Sequence, residues 1–101
     1  MNTHIPIDPT IVADFCRRHY IRRLSFFGSV LRDDFGPDSD VDVLVEFDPA
    51  HIPGFIGLGQ MQDELSQLLG RRPVDLVTEK FLNRRMRRRV LESAQVAYAG
   101  G

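Results

Sequence analysis

Two aspartates, two residues apart, open the run DVDVLVEF at residues 40–47, whose other positions are mostly β-branched or large apolar side chains. In an extended strand such residues share a face and lie about 7 Å apart, so Asp40 and Asp42 present neighbouring carboxylates. Two anions side by side on a strand that otherwise reads as core repel each other and are costly to desolvate. A hard divalent cation such as Mg²⁺, which prefers oxygen ligands, removes that cost. Asp75 repeats the arrangement in PVDLVT at residues 73–78, between Val74 and Leu76, whose side chains point to the other face. If the two runs are neighbouring strands, three carboxylates meet. Such a trio around Mg²⁺ suits phosphoryl or nucleotidyl transfer, where the metal neutralises a triphosphate, activates an attacking hydroxyl and stabilises the leaving pyrophosphate. Asp40 and Asp42 are then assigned to the nucleotide-bound metal. Asp75 is assigned to a second metal site, nearest the incoming hydroxyl, where it could assist deprotonation.

Phosphates also need donors. Gly28 and Ser29 follow the β-prone run at residues 24–27, a pattern suited to a strand turning sharply into a helix. That turn offers backbone N–H groups, a hydroxyl and the positive end of a short helix, and Arg32, one turn on, adds a cation. The plain readings, Gly28 as a tight turn and Ser29 as a helix N-cap, share this geometry. An Asp-X-Asp pair alone arises often by chance in loops; together with Gly28, Ser29 and Asp75 it weighs far more. Glu46 and Asp48 fall at the strand's end and read as a solvated face.

The elements that must position these residues follow from periodicity. Asp8 caps a helix with Pro9 in its first position, and Ile11, Val12, Phe15 and Cys16 continue it to about Arg22. A strand over residues 24–28 is followed by about two turns of helix over 30–35 and a turn at Gly36, Pro37, Asp38 and Ser39. A strand over 40–47 comes next, then a long helix over 55–69 stopped by Gly70, a strand over 73–78, and a final helix from Asn83 with Met86, Val90, Leu91, Ala94 and Ala97 on one face. The order α-β-α-β-α-β-α predicts an α/β fold: a small mixed sheet with helices packed mainly on one side and the carboxylates at the open face.

Composition bounds the rest. The 101 residues, 43% of them apolar, suffice for one compact core, so residues 1–101 are read as a single domain. Cys16 is the only cysteine, which rules out an intrachain disulfide, and no apolar stretch approaches the roughly 20 residues of a membrane span. A reducing, cytosolic setting fits. The net charge of -1 hides an uneven distribution, since five arginines crowd between Arg84 and Arg89. That cluster is either the solvated side of the final helix, with Met86 and Val90 facing in, or a surface for an acidic partner or for phosphates. The lack of interleaved aromatics weighs against RNA. Cys16, His4, His19 and His51 have no companions at ligand spacing and read as structural or incidental. Tyr98 either closes over a nucleotide or lies on the surface.

Gly28 and Ser29, ten intervening residues, then Asp40-Val41-Asp42 resemble the signature of the polymerase-β-like nucleotidyltransferase superfamily. With Ser39 before the first aspartate and Val74-Asp75-Leu76-Val77 later, the chain most resembles the minimal nucleotidyltransferases, the antitoxins that accompany HEPN-domain ribonuclease toxins. The family often has a glycine soon after Arg32, where this chain has Asp33, an extra acid beside the phosphate site. The resemblance implies a polymerase-β-like fold and two Mg²⁺ sites at Asp40, Asp42 and Asp75. It also implies transfer of AMP from ATP to a tyrosine hydroxyl of the cognate toxin, silencing its RNase activity. The toxin is then the partner, in a possible oligomer with this chain, and neither a membrane nor nucleic acid is expected. About 100 residues leave little surface for a dedicated acceptor pocket, which also favours a macromolecular acceptor. Two other functions stay open at this point: an antitoxin that inhibits by occlusion alone, and a nucleotidyltransferase acting on RNA or an antibiotic.

Overall fold

The computed structural model describes Ile5 and residues 7–33, 35–36 and 38–100, with Phe81 by its backbone alone. His4 and Pro37, named above, lie outside the described residues. Helix α1 runs Pro9–Arg18. It starts as the sequence predicts, with the Asp8 carboxylate accepting the Thr10 N–H at 2.9 Å. It stops earlier than Arg22, because Tyr20 takes a left-handed φ of 58° and Ile21 already pairs with Phe47 in the sheet.

Strands β1 (Ile21–Phe27), β2 (Val41–Phe47), β3 (Val74–Val77) and β4 (Gln95–Ala99) form one mixed sheet in the order β3-β2-β1-β4. β1 is antiparallel to both β2 and β4, whereas β2 and β3 are parallel, with helix α2 (Phe55–Leu68) as their crossover. On the outer strand β3, the Leu76 N–H donates to the side-chain oxygen of Gln62 on α2 at 3.0 Å. Helix α3 spans Arg84–Ser93, capped by Asn83, whose side chain accepts the Met86 N–H at 2.8 Å.

Two sequence readings need correction. The helix expected over 30–35 is one 3-10 turn, Gly28–Leu31, after which Arg32 is already extended. The final helix does not reach Ala97: Ala94 leaves helical geometry at ψ 140°, and residues 95–99 become a fourth strand along the open edge of β1. The apolar spacing fitted a helix, but ladder hydrogen bonds to a distant strand decide the outcome. Of the residues expected to face inward there, Val90 is buried, while Met86 and Leu91 stay about half exposed, at 48% and 50%.

The sheet's two faces differ. Alternating Leu24 and Phe26, Val41, Val43 and Val45, and Val74 and Leu76 meet Phe15 and Cys16 of α1 and Met61 and Leu65 of α2 in the main core. The opposite face carries Phe27 and Leu44, which pack with Leu82 and with Val90 of α3 in a smaller cluster. Helices therefore cover both faces, α1 and α2 one and α3 part of the other. Among the described residues no helix is long and apolar enough to cross a membrane.

Candidate active site

The residue after β1 must turn sharply, and Gly28 does so with φ 73°, in the left-handed region that favours glycine. Space demands glycine as well, since a Cβ at this position would overlap the Asp42 carboxylate. The turn brings Ser29 beside β2. Its N–H donates to the Asp42 carboxylate and its hydroxyl to the Asp40 carbonyl at 3.1 Å.

Asp42 and Asp75 stand directly across from each other in the parallel register of β2 and β3, between the pairs Val41–Val74 and Val43–Leu76. The Val41 N–H to Pro73 carbonyl bond of 2.8 Å fixes that register at its start. Apolar neighbours face the main core, so both carboxylates emerge on the α3 side of the sheet. Asp40 precedes β2 instead of lying on it, and is exposed, as is Asp75, while Asp42 is half-buried.

Burial raises the Asp42 pKa above the ordinary aspartate value, and the negative charges of Asp75 and Asp40 push it the same way. The Ser29 N–H and the Arg32 guanidinium oppose the shift. Asp42 thus feels all the groups the sequence singled out. Among the described residues, however, no three His, Cys, Asp or Glu side chains are already closed into an ion cage. The donor set still suits a divalent cation, with oxygen ligands only and one carboxylate held against the charge of two others.

One positioning feature escaped the sequence reading. Arg72, just ahead of β3, stacks its guanidinium 4.7 Å from the Phe35 ring centroid and donates to the Gly36 carbonyl at 3.1 Å. The Ser39 hydroxyl accepts the Gly36 N–H at 3.0 Å, tightening the same segment. The stretch that delivers Asp40 is thereby clasped to the strand that bears Asp75. An arginine reaching 36 residues back has no spacing signature, so only the fold reveals it.

The remaining candidates sort plainly. Tyr98 lies opposite Leu24 and packs on the main core, away from the carboxylates, which removes the nucleotide-closing alternative. Glu46 is exposed beside Arg23 at 3.5 Å, and Asp48 caps a short turn through the Ala50 N–H at 2.9 Å. His19 bonds Glu64 at 3.0 Å and His51 stacks on Tyr20. Cys16 is buried, and desolvation pushes its thiol up to about 12, so it is no nucleophile. Arg84, Arg85, Arg87, Arg88 and Arg89 are all exposed.

Residues 9–97 match the family described as the nucleotidyltransferase domain. A Methanocaldococcus jannaschii protein assigned as a protein adenylyltransferase is 32% identical over 66 residues, which is 65% of either chain, so the match spans slightly less than two thirds of that relative. The protein adenylyltransferase MntA of Thermococcus cleftensis is 38% identical over 74 residues, 73% of this chain and 72% of that protein. A solved structure described as a minimal nucleotidyltransferase is 37% identical, with a TM-score of 0.71 over 86% of each chain. A toxin–antitoxin crystal structure with AMP-PNP shares the fold at 18% identity, with a TM-score of 0.74 over 92% of this chain and 74% of that one. The family match runs through the strands bearing Asp42 and Asp75 and the turn between Gly28 and Ser29, and the chain belongs to the nucleotidyltransferase domain family, in its minimal, MntA-related branch.

Proposed function

We propose that this chain, residues 1–101 acting as one domain in the cytosol, is an antitoxin that transfers AMP from ATP to a tyrosine hydroxyl of a HEPN-type ribonuclease toxin and so neutralises it. The observation that carries the reading is the register placing Asp42 against Asp75 beside the turn at Gly28 and Ser29. The adenylyltransferase relatives and the toxin–antitoxin complex with AMP-PNP support the choice of nucleotide and of a protein acceptor.

In this reading Asp40 and Asp42 would hold the nucleotide-bound Mg²⁺, and Asp75 with Asp42 a second ion. Bound there, Mg²⁺ supplies charge neutralisation of the triphosphate and a lower pKa for the attacking hydroxyl. The Ser29 hydroxyl and the N–H groups of the turn serve the phosphates, as does the Arg32 cation. The acceptor oxygen attacks the α-phosphorus, forming one P–O bond as the bond to the β-phosphate bridge breaks. Pyrophosphate leaves with the electron pair. Asp75, exposed at the strand edge, takes the proton of the attacking hydroxyl.

The test is the intact mass of the toxin after incubation with ATP, Mg²⁺ and either wild-type chain or Asp42→Ala. AMP added by the wild type alone is the expected result. An unmodified toxin whose RNase activity is suppressed equally by both forms would mean that the chain acts by occlusion.

A further inference from the structure

We propose that the outward face of α3 is a docking surface for an acidic patch on the protein acceptor. This rests on the adenylylation reading for the identity of the acceptor but not for the existence of the surface. On a helix turning about 100° per residue, Arg84, Arg85, Arg88 and Arg89 fall within an arc of about 140° opposite Val90 and Ala94, the side that packs on the sheet. Half-exposed Met86 and Leu91 flank that arc.

Folding alone gives no reason for this arrangement. The first turn of α3 carries Arg84, Arg85 and Arg87 with no acid, and the last turn has no base, the reverse of what the helix dipole favours. Arg84 and Arg88, and Arg85 and Arg89, are like-charged neighbours one turn apart. Arg88 is offset by Glu92 at 3.3 Å and Arg87 donates to the Glu79 carbonyl at 3.3 Å, but among the described residues Arg84, Arg85 and Arg89 have no ion pair. An external polyanion relieves both penalties.

Three polyanions compete for the surface. Arginines spread over an arc facing away from the sheet do not converge on one triphosphate. A nucleic acid accounts for the charges but not for Met86 and Leu91 beside them, and α3 holds no aromatic to stack on bases. A protein face that is acidic at its centre and apolar at its two borders matches both features, since arginine and methionine are enriched at protein–protein contacts. Position agrees: α3 packs over Phe27 and Leu44, and Phe27 pairs with Asp42. A protein bound to α3 is therefore held on the same side of the sheet as the carboxylates.

Fluorescence anisotropy with three labelled probes tests this at low and physiological salt. The probes are a peptide alternating glutamate with leucine and tyrosine, its lysine counterpart, and an RNA duplex. Wild type and Asp42→Ala should bind the acidic peptide alike and more weakly as salt rises, whereas Arg85→Glu/Arg89→Glu should lose about tenfold in affinity. Arg85→Glu puts an acid in the first turn of α3, where the dipole favours it, and thermal unfolding of the double variant checks that it is folded. Equal peptide binding by wild type and double variant overturns the proposal, and so does tighter binding of the RNA duplex with the same loss in the variant. In the transfer assay the variant should raise the KM for the acceptor and leave that for ATP in place; a raised ATP KM instead assigns the arginines to the nucleotide and overturns the proposal. If wild type transfers no AMP at all, the adenylylation reading fails while the anisotropy result still decides the surface.

Discussion

The two faces of the sheet handle charge in opposite ways. Beneath α1 and α2 lies the larger core, with Phe15, Leu24, Phe26, Val43 and Leu65 fully buried. The ions at its rim are matched: Arg18 reaches Asp14 at 2.9 Å and Glu64 at 2.6 Å, and His19 reaches Glu64 at 3.0 Å. Burial by itself would raise the Glu64 pKa, but hydrogen bonds and charge from Arg18 and His19 hold it below the ordinary value. Arg17 and Arg18 also occupy the last turn of α1, where the dipole favours cations. The α3 side shows the reverse, with Asp42 pressed by two other carboxylates and arginines gathered at the wrong end of a helix. On the first face the charges nearest the core answer one another within the chain, whereas on the second like charges gather with little internal compensation, and that is where function is to be sought.

Substitution at Asp42 should break the contrast most strongly. Asp42→Asn is expected to lower AMP transfer by roughly a thousandfold or more, about 4 kcal/mol of barrier. Without metal, the same change should raise the thermal midpoint at neutral pH. The sign follows from the raised pKa: the folded chain holds the Asp42 proton more tightly than the unfolded chain, so stability falls as pH climbs through that interval. The advantage of asparagine should vanish below the ordinary aspartate range near about 3.9, and Mg²⁺ should raise the midpoint of wild type more than that of the variant.

On the α1 and α2 side, Leu65→Ala should cost about 3 kcal/mol in urea unfolding, because Leu65 is wholly buried in the main core. Glu64→Gln should lose about 0.5 kcal/mol at neutral pH, its partly exposed ion pairs being screened by solvent. That loss should shrink on acidification, since a depressed carboxylate pKa contributes above the unfolded value and its contribution goes as pH falls through the folded one. The smallest effect should have the opposite sign: Arg85→Glu is expected to stabilise the free chain by about 0.3 kcal/mol, read from the unfolding midpoint. A loss there would mean that α3 is as self-sufficient as α1.

Much of this was legible in the sequence where the signal is local. Asp8 and Pro9 mark the start of α1, and alternation around Asp42 and Asp75 gives two strands and the face they share; the apolar spacing of Phe55, Ile56, Leu58, Met61, Leu65, Leu68 and Leu69 gives α2, although only Met61, Leu65 and Leu69 of these are buried while Phe55 and Ile56 stay exposed. Gly28 was legible as a turn, though the second reason for glycine, the Asp42 carboxylate against it, needs coordinates. What could not be read depends on distant partners. Residues 95–99 have helix-compatible spacing and become a strand only because β1 offers an unpaired edge, and Arg72 matters through Phe35 and Gly36, far back in the chain. The two turns of helix after Gly28 shrink to one because Arg32 must already run extended toward Asp40.

Gln62 has a consequence for how copies of this chain behave when crowded. By accepting the Leu76 N–H, its amide occupies a donor on the outermost strand that an incoming strand would otherwise seek. The sheet is thus blunted at β3 and can lengthen only beyond β4. Replacing Gln62 with leucine would free that donor beside an apolar side chain, and a sheet with one open edge would become one with two, the condition for open-ended filaments instead of closed pairs.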